Sequence, residues 1–231
     1  MSIYNREQQY IRLLSEKTHT VKELSEKLFI SEPTVRRDLI KLEKKEILVC
    51  QRGRVSLKTN FADQRIPLFI RDMEQSEAKK EMARKAIAHV KDGDVIMLDA
   101  STSAYYLLPL LATFKKILVI TNGAKTALEA TSMGIRTICT GGEMTLESFS
   151  YVGTDAETML RQYNADVAFF SCRGLIKDGI ATDNSILENS IRRIMMNNAK
   201  KSFLLCDRSK LGKKYLNTLC HTRELSGVIS D

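Results

Sequence analysis

The feature that most constrains this chain is an alternation of short apolar runs and amphipathic stretches that starts at residue 95. The runs are apolar on both faces, as in strands buried on both sides, and the stretches between them have helical periodicity. Strands that alternate with helices in this way predict a mostly parallel α/β sheet. The predicted strands are 95–98, 117–120, 137–139, 167–170 and 203–206, with a last fragment at 228–229. The predicted helices are 74–91, one that ends at 111, 124–132, 155–163 and 186–200.

The residues that follow these strands are candidate ligand-binding residues. In a parallel sheet the carboxyl ends of the strands share one edge, and ligands bind beyond it. Small hydroxyl residues and glycines let backbone N–H groups face an anion there, and a lysine or arginine can add charge. Helix caps and turns explain any one such loop, but five loops favour a ligand site, with phosphate as the natural group. The candidates are Asp99, Ser101, Thr102, Ser103, Thr121, Asn122, Gly141, Gly142, Arg173, Gly174 and Lys210.

Other chemistry finds little support in the chain. There is no Walker A or GxGxxG pattern, which argues against an NTPase and a dinucleotide enzyme. Five cysteines without CxxC spacing and three scattered histidines argue against a disulfide framework and a metal site. No apolar run reaches the ~18 residues of a membrane span, and the N-terminus has no signal-peptide core. We therefore expect a cytoplasmic protein without metal or cofactor, in which Cys139, Cys172 and Cys206 are buried, unreactive thiols.

The first 57 residues have a different organisation. An apolar stripe over 5–17 predicts a helix, and Thr20-Val-Lys-Glu23 is a capping box that begins a second helix. Ser31, a favoured N-cap, precedes Pro33 in the first turn of a third helix. Two short β-prone runs around Arg52-Gly53 predict a hairpin. Three helices and a hairpin predict a winged helix-turn-helix domain.

Basic charge is concentrated in the same region. The chain carries a net charge of +8, and residues 1–60 hold 13 Lys/Arg against 8 Asp/Glu, whereas the rest holds 23 against 20. In helix-turn-helix proteins the start of the last helix enters the major groove, where arginine suits guanine edges and phosphates. A solvated helix face is the alternative for the helix arginines, but the agreement of cap, helix start and hairpin favours DNA binding. The predicted DNA-binding residues are Ser31, Thr34, Arg36 and Arg37 on the third helix and Arg52 and Arg54 on the hairpin.

These motifs resemble those of the DeoR-type bacterial transcription regulators. The run Ile30-Ser-Glu-Pro-Thr-Val-Arg-Arg-Asp-Leu39, followed by Leu42-Glu43 and Ile47-Leu48, is close to that family's recognition helix. The hairpin departs from the family, because Gln51-Arg-Gly-Arg54 stands where a His-Gly-Gly run is usual. We expect the extra arginines to preserve phosphate binding.

Residues 74–231 are similar to the family's sensor domain, whose fold is shared with ribose-phosphate isomerases, glucosamine-phosphate deaminases and CoA transferases. The matching segments are 98–103, 119–122, 141–142, 166–169, 174–179 and 207–212. The resemblance implies a phosphorylated sugar or related metabolite, held by Asp99 and Ser101 to Ser103, with Glu188 and Lys210 beside it. It also implies a small residue where this chain has Arg173, which we expect to alter the effector or narrow the pocket. Family members usually continue with a further helix and strand where this chain stops, so the resemblance implies either a truncated sequence or a short member of the family.

Together these observations predict a DNA-binding transcription regulator with a helix-turn-helix domain at 1–57, a linker at 58–73 and a sensor domain at 74–231. We expect a repressor of a sugar or polyol catabolic operon that a phosphorylated sugar releases, acting as a homodimer or homotetramer on paired half-sites. One alternative is a sugar-phosphate isomerase or deaminase with Asp99, Glu188 and Lys210 as acid/base groups. The helix-turn-helix counts against it, so we expect no enzyme activity. A nucleic-acid-binding adaptor with an inactive sensor is a further alternative.

Overall fold

The chain divides into two compact units, Met1–Met73 and Glu74–Asp231. The computed structural model describes residues 3–44, 47–57 and 75–231. The predicted linker at 58–73 lies outside the described residues.

Within residues 3–44 and 47–57 the first unit combines three helices with a small antiparallel sheet. Its elements are α1 (Ile3–Glu16), β1 (His19–Thr20), α2 (Val21–Leu28), α3 (Glu32–Lys44), β2 (Leu48–Gln51) and β3 (Arg54–Leu57). The capping box is confirmed, since Thr20 Oγ1 accepts the Glu23 N–H at 3.2 Å and the Glu23 carboxylate accepts the Thr20 N–H at 2.8 Å. The sheet order is β1-β3-β2, and β1 was not predicted because two residues leave no alternation in a sequence. Tyr10, Leu24 and Val35 meet in its core.

The second unit is an α/β layer structure. In chain order its strands are β4 (Val95–Leu98), β5 (Leu118–Thr121), β6 (Arg136–Cys139), β7 (Glu143–Met144), β8 (Tyr151–Val152), β9 (Ala165–Ser171), β10 (Gly174–Leu175), β11 (Ile180–Asp183), β12 (Ala199–Leu205), β13 (Asn217–His221) and β14 (Gly227–Ile229). Its helices are α4 (Ser76–Ala86), α5 (Thr102–Tyr105), α6 (Leu108–Leu111), α7 (Ala124–Ser132), α8 (Gly153–Leu160) and α9 (Ile186–Asn197).

Six strands form the central sheet in the order β14-β12-β9-β4-β5-β6, and all its pairings are parallel. This confirms the predicted α/β sheet, and each of the six predicted strands lies in it. Two smaller antiparallel sheets, β10-β11-β13 and the pair β7-β8, were not predicted. Their strands are short or carry polar residues, so they lack the continuous apolar pattern of the central strands.

Side chains alternate between the two faces of the central sheet and build a core on each. Leu98, Phe169 and Leu205 face a cluster that contains residues of α4, α5, α6 and α7. Met97 and Phe170 face the other cluster, with α8 and α9. The carboxyl ends of the strands are thereby held rigidly by packing on both sides.

Several sequence predictions differ in detail from the structure; for example, the helix predicted over 186–200 ends at Asn197, because β12 begins at Ala199. The helix predicted over 74–91 ends at Ala86 and continues as a 3-10 turn, Ile87–His89. The helix predicted to run through residue 111 is two short helices, because Pro109 suits only the first turn of the second one. Cys139 is half-buried rather than buried, since β6 is an edge strand. Within the described residues, every helix falls short of the length and apolarity needed to cross a bilayer.

Candidate functional site

A candidate DNA-binding surface begins at the N-terminus of α3. The hydroxyls of Ser31 and Thr34 lie 3.0 Å apart, and the Ser31 carbonyl accepts the Thr34 N–H at 2.9 Å, which fixes the first turn. Arg36 and Arg37 follow with exposed side chains. The Arg36 guanidinium pairs with the exposed Glu32 carboxylate at 3.1 Å. An exposed pair of this kind contributes at most about 1 kcal/mol, so a phosphate or base edge can replace Glu32 as the partner of Arg36.

Asp38 fixes the inner side of the same helix. Its carboxylate is buried and accepts hydrogen bonds from Arg6 Nε at 3.0 Å and Tyr10 Oη at 3.4 Å, both on α1. Burial and the Asp38 charge together raise the pKa of Tyr10 above its ordinary value. This anchor was not predicted, although the spacing from the buried Val35 and Leu42 places Asp38 on the apolar stripe of α3.

The hairpin of the first unit turns through Arg52 and Gly53, whose φ values are 49° and 75°. Two consecutive left-handed residues are typical of a type I′ turn, which matches the twist of the flanking strands. Arg54 begins β3, and its Nη1 donates to Thr18 Oγ1 at 3.3 Å. Both arginine side chains are exposed, so this end of the hairpin presents two cations.

A candidate effector pocket lies at the carboxyl ends of β4 and β9. The chain runs outward from β4 to β6 and returns to β9 on the other side of β4, so the strand order reverses between these two strands. In α/β sheets a ligand crevice opens at such a reversal. Asp99 follows β4 and Ser171 ends β9, and the Ser171 N–H donates to Asp99 Oδ2 at 3.3 Å.

The loop after β4 turns directly into α5. Asp99 Oδ1 accepts the Ser101 N–H at 3.1 Å, and Ser101 Oγ caps the helix by accepting the Ala104 N–H at 3.1 Å. Thr102 and Ser103 are buried in the same turn. The structure therefore groups these four predicted residues beside the reversal of strand order.

Lys210 brings three strand-end loops together. Its Nζ donates to Ser171 Oγ at 2.8 Å and to Ser103 Oγ at 3.4 Å, and it pairs with Asp207 Oδ2 at 3.2 Å. Burial raises the pKa of Asp207, but the Lys210 charge and the bond from Ser209 outweigh burial, and the net shift is downward. The ammonium group is thus held where the ends of β4, β9 and β12 meet.

An arginine that was not predicted joins the carboxylates of the site. Arg192 on α9 is buried, and its Nε donates to Asp99 at 2.8 Å. Its Nη1 donates to Asp183 at 2.9 Å and its Nη2 to Glu188 at 3.1 Å. Burial lowers the pKa of Arg192, but the three carboxylates outweigh burial and raise it, so the guanidinium stays charged. The i,i+4 spacing of Glu188 and Arg192 was the available signal.

Glu188 also ties α9 to the loop between β7 and β8. Its Oε1 accepts hydrogen bonds from the hydroxyls of Ser148 and Ser150, the latter at 2.9 Å. The two serine hydroxyls lie 2.8 Å apart, and each also contacts the hydroxyl of Thr145. A ligand that bonds to Glu188 must therefore compete with this loop.

The end of β5 lies next to the end of β4 and carries an unpaired buried amide oxygen. Thr121 Oγ1 accepts the Gly123 N–H at 3.0 Å, and Asn122 Nδ2 donates to the Tyr151 carbonyl at 3.0 Å. Among the described residues, Asn122 Oδ1 has no hydrogen-bond partner, and neither has Nδ2 of the buried Asn189 on α9. Because buried polar atoms nearly always have a partner, both atoms suit ligand hydroxyls or water.

At two glycines of the site, other backbone segments come so close that a Cβ atom would not fit. Gly141 and Gly142 follow β6 with φ of 65° and 106°, and a Cβ on Gly142 would lie 2.9 Å from the Val152 carbonyl oxygen. A Cβ on Gly174 would lie within 2.3 Å of the Lys213 carbonyl oxygen. A side chain at Gly142 or Gly174 would therefore displace backbone.

Arg173 lies between the ends of β9 and β11. Its Nε is 3.5 Å from Asp183 Oδ1, and its side chain is 22% exposed. Direct polar contacts join predicted pocket residues around Lys210 and around Arg192, and Ser171 links the two groups through its bonds to Asp99 and Lys210. Thr121, Asn122, Gly141 and Gly142 lie farther along the same sheet edge, outside these contacts in the described structure.

These two units define a class of protein: a winged helix-turn-helix with exposed arginines, followed by an α/β unit with polar side chains at its strand ends, is the architecture of a ligand-responsive transcription regulator. Residues 6–61 match the profile of the DeoR-like helix-turn-helix domain, and residues 74–231 match that of the DeoR C terminal sensor domain. The chain belongs to the DeoR family of transcriptional regulators. It is a DNA-binding regulator with a C-terminal sensor domain, and the resemblance drawn from the motifs is confirmed.

Three relatives illustrate the match along the chain. The "Uncharacterized HTH-type transcriptional regulator YulB" of Bacillus subtilis is 31% identical over 234 residues, which cover 100% of this chain and 90% of the relative. The lactose phosphotransferase system repressor of Staphylococcus epidermidis is 29% identical over 235 residues, covering 100% and 93%. The L-fucose operon activator of Escherichia coli K12 is 30% identical over 221 residues, covering 95% and 90%.

Two solved structures illustrate the similarity to known folds. The eIF2B delta structure from Chaetomium thermophilum aligns with a TM-score of 0.52 and 17% identity, over 70% of this chain and 58% of that chain. Ribose 5-phosphate isomerase A from Methanocaldococcus jannaschii aligns with a TM-score of 0.45 and 19% identity, over 60% and 55%. At 17% identity the likeness to eIF2B delta concerns the fold alone.

Proposed function

We propose that this regulator represses a sugar or polyol catabolic operon and that a phosphorylated sugar bound in its second unit releases it from DNA. The observation that carries the proposal is the Lys210 ammonium, held by the hydroxyls of Ser103 and Ser171 where the strand order reverses. A phosphate there would meet a cation, hydroxyls and backbone N–H groups together. Among the relatives, one is named as a repressor of a lactose phosphotransferase system and one as an activator of an L-fucose operon. Both names concern sugars. One relative is a repressor and the other an activator, and we propose repression for this chain.

On the DNA side, Arg36, Arg37 and Thr34 would read the major groove, with Ser31 fixing the first turn, and Arg52 and Arg54 would contact the backbone. The Arg36→Ala/Arg37→Ala double variant tests this by titration of a labelled operator fragment. Removing an arginine that reads a base should cost about 1–3 kcal/mol, so we expect a loss of specific binding. Arg84→Ala, which removes an exposed arginine of α4, is the matched control. Full specific binding by the double variant would contradict the assignment.

The hairpin arginines should act differently. Arg52→Ala should weaken binding to all sequences alike and reduce the salt slope of log K by about 0.9 for each phosphate that the variant no longer neutralises. A titration at several salt concentrations measures the slope. An unchanged slope would remove Arg52 from the interface.

On the effector side, Asp99 with Ser101 to Ser103 would hold sugar and phosphate near Lys210. Thr121, Asn122, Gly141, Gly142, Arg173 and Gly174 would line the pocket, and Glu188 would approach the sugar. Lys210→Ala should abolish release by sugar phosphates while leaving operator binding intact. Lys200→Ala, which removes an exposed lysine paired with Asp166 at 2.8 Å, is the matched control. A normal response of Lys210→Ala would exclude Lys210 from the site.

We propose that the second unit senses its ligand without converting it. The carboxylates of Asp99 and Glu188, which are candidate bases for proton transfer beside a sugar carbonyl, both bind the Arg192 guanidinium, so a substrate proton would compete with these ion pairs. Incubation of the purified protein with ribose 5-phosphate and glucosamine 6-phosphate should therefore give no product. Turnover that is lost in Glu188→Gln would support the enzyme alternative instead.

A single helix-turn-helix makes a small interface, so we propose a homodimer or homotetramer that binds paired half-sites in the cytoplasm. Light scattering on the eluted protein measures its mass in solution. A monomer that still binds an operator with full affinity would contradict this assembly.

A further inference from the structure

Two cysteine thiols meet at the carboxyl edge of the central sheet. The pairing of β9 with β12 sets Ser171 opposite Leu205, so the next residues, Cys172 and Cys206, are neighbours across the two strands. Both side chains belong to the same buried cluster and therefore lie on the same face of the sheet. They are 4% and 0% exposed. Their position next to Ser171 places them beside the residues that hold Lys210.

The two thiols interact with each other and are not equivalent, because the Cys206 Sγ also donates to the Asp207 carbonyl oxygen at 3.8 Å. Their mutual hydrogen bond is the main cause of opposite shifts, because it raises the pKa of Cys172 and lowers that of Cys206. The Lys210 charge lowers the pKa of Cys206 further. The thiolate is the nucleophile, so the lower pKa of Cys206 favours Cys206 as the attacking thiol and Cys172 as its partner.

We propose that Cys172 and Cys206 form a reversible disulfide when the protein meets a peroxide. Neighbouring strands lie about 4.8 Å apart, within the range of about 4.4–6.8 Å between Cα atoms that a disulfide spans. Formation of the disulfide therefore requires the two side chains and the loops after the strands to move, whereas the strands of the sheet stay paired. This assignment revises the expectation that both thiols are unreactive.

The reaction balances with hydrogen peroxide as the oxidant. The Cys206 thiolate attacks one peroxide oxygen, the O–O bond breaks, and the departing hydroxide leaves as water with the proton that Cys206 gave up. The sulfenic acid on Cys206 is then attacked by the Cys172 sulfur, and its hydroxyl leaves as a second water with the Cys172 proton. Two thiols and one hydrogen peroxide give one disulfide and two waters, with two electrons passing from sulfur to peroxide.

Oxidation should also weaken the effector site. The disulfide would join the residue after Ser171 to the residue before Asp207, and these two residues hold Lys210. This consequence rests on the proposed function, whereas the formation of the disulfide does not. A thermal-shift titration with inorganic phosphate should give a smaller shift for oxidised than for reduced protein. If phosphate stabilises neither form, the proposed phosphate site fails while the disulfide stands on its own test.

The test of the disulfide is a peptide map of the full chain after treatment with hydrogen peroxide and alkylation of the remaining thiols. We expect a linked pair of peptides that contain Cys172 and Cys206 and that separate after reduction with dithiothreitol. The exposed Cys50 reports that the peroxide and the alkylating reagent are active. Absence of the linked pair once Cys50 is fully oxidised would overturn the proposal, and this measurement needs no variant to fold.

Two variants test the order of attack. In Cys172→Ala the reaction should stop at the sulfenic acid of Cys206, which dimedone labels, whereas Cys206→Ala should leave Cys172 unlabelled. The buried Cys220, whose pKa is raised to about 12, should stay unlabelled in both. Labelling of Cys172 in Cys206→Ala, with Cys206 unlabelled in Cys172→Ala, would overturn the assigned roles.

Discussion

Replacing Arg192 with methionine removes the cation that Asp99, Asp183 and Glu188 share. The first two carboxylates are 1% and 2% exposed, so solvent cannot take the place of the guanidinium. Removing one partner of a buried ion pair costs about 3–5 kcal/mol. The cost is not threefold larger, because Asp99 keeps the N–H groups of Ser101 and Ser171 as donors. A loss of about 3–5 kcal/mol corresponds to a fall of about 6–20 °C in Tm for a unit of this size.

Urea and thermal unfolding of the full chain, followed at the transition of the second unit, measure this loss. Arg193→Met is the matched control, because the neighbouring guanidinium bonds only to the backbone carbonyls of Thr218 and Leu219 in the described structure. It should cost about 1–3 kcal/mol, as expected for hydrogen bonds from a charged group. Arg192→Lys should fall between the two, since an ammonium keeps the charge but cannot reach three carboxylates. If Arg192→Met were no less stable than Arg193→Met, the reasoning would be refuted.

Three further perturbations have defined outcomes. Phe29→Asn should stabilise the protein by about 1 kcal/mol and so raise the midpoint of urea unfolding, because Phe29 has a left-handed φ of 54° and its side chain is 95% exposed. A lower midpoint would contradict this. Gly142→Ala should lower the free energy of unfolding by about 2 kcal/mol more than Gly141→Ala in the same titration. The reason is that a Cβ at 142 would lie 2.9 Å from the Val152 carbonyl oxygen, whereas a Cβ at 141 would meet open space. Equal losses of stability would contradict this difference. Asp207→Asn should flatten the loss of stability below about pH 4. Folding lowers the pKa of Asp207, so its contribution is present above the unfolded value and is lost as pH falls; parallel acid curves of variant and wild type would disagree.

The elements that could be predicted from the sequence are those that local chemistry determines. The capping box at Thr20 and the Arg52-Gly53 turn depend on residues that are close in the chain, and the central strands depend on apolar runs of sufficient length. The strands β7 and β10 have two residues each, and their pairing comes from tertiary contacts, so no periodicity could indicate them. The break between α5 and α6 was signalled by Pro109, which the prediction passed over.

The sequence predicted where the candidate site lies, but not which of its side chains pair with each other. Because the ends of parallel strands share an edge, the sequence alone places Asp99, Ser103 and Lys210 at that edge. The partner of Asp99 is Arg192, 93 residues away in the chain, and a single sequence carries no record of such a pairing. The role of Asp38 was not predicted for a related reason. A charged residue in a charged helix is expected to be exposed to solvent, and only the structure shows that Arg6 and Tyr10 of α1 bond to it.

The strand order of the second unit has an evolutionary consequence. The core consists of apolar side chains within the strands and helices, whereas the proposed pocket consists of the residues that follow the strands. A duplicated gene can therefore change the loops after β5, β6 or β9 while the selected core is left untouched, because loops tolerate substitution better than cores. Arg173, where the family resemblance implies a small residue, lies in the loop after β9. In this way one fold can give rise to many paralogues within a genome, and the loops of each paralogue can bind a different nutrient.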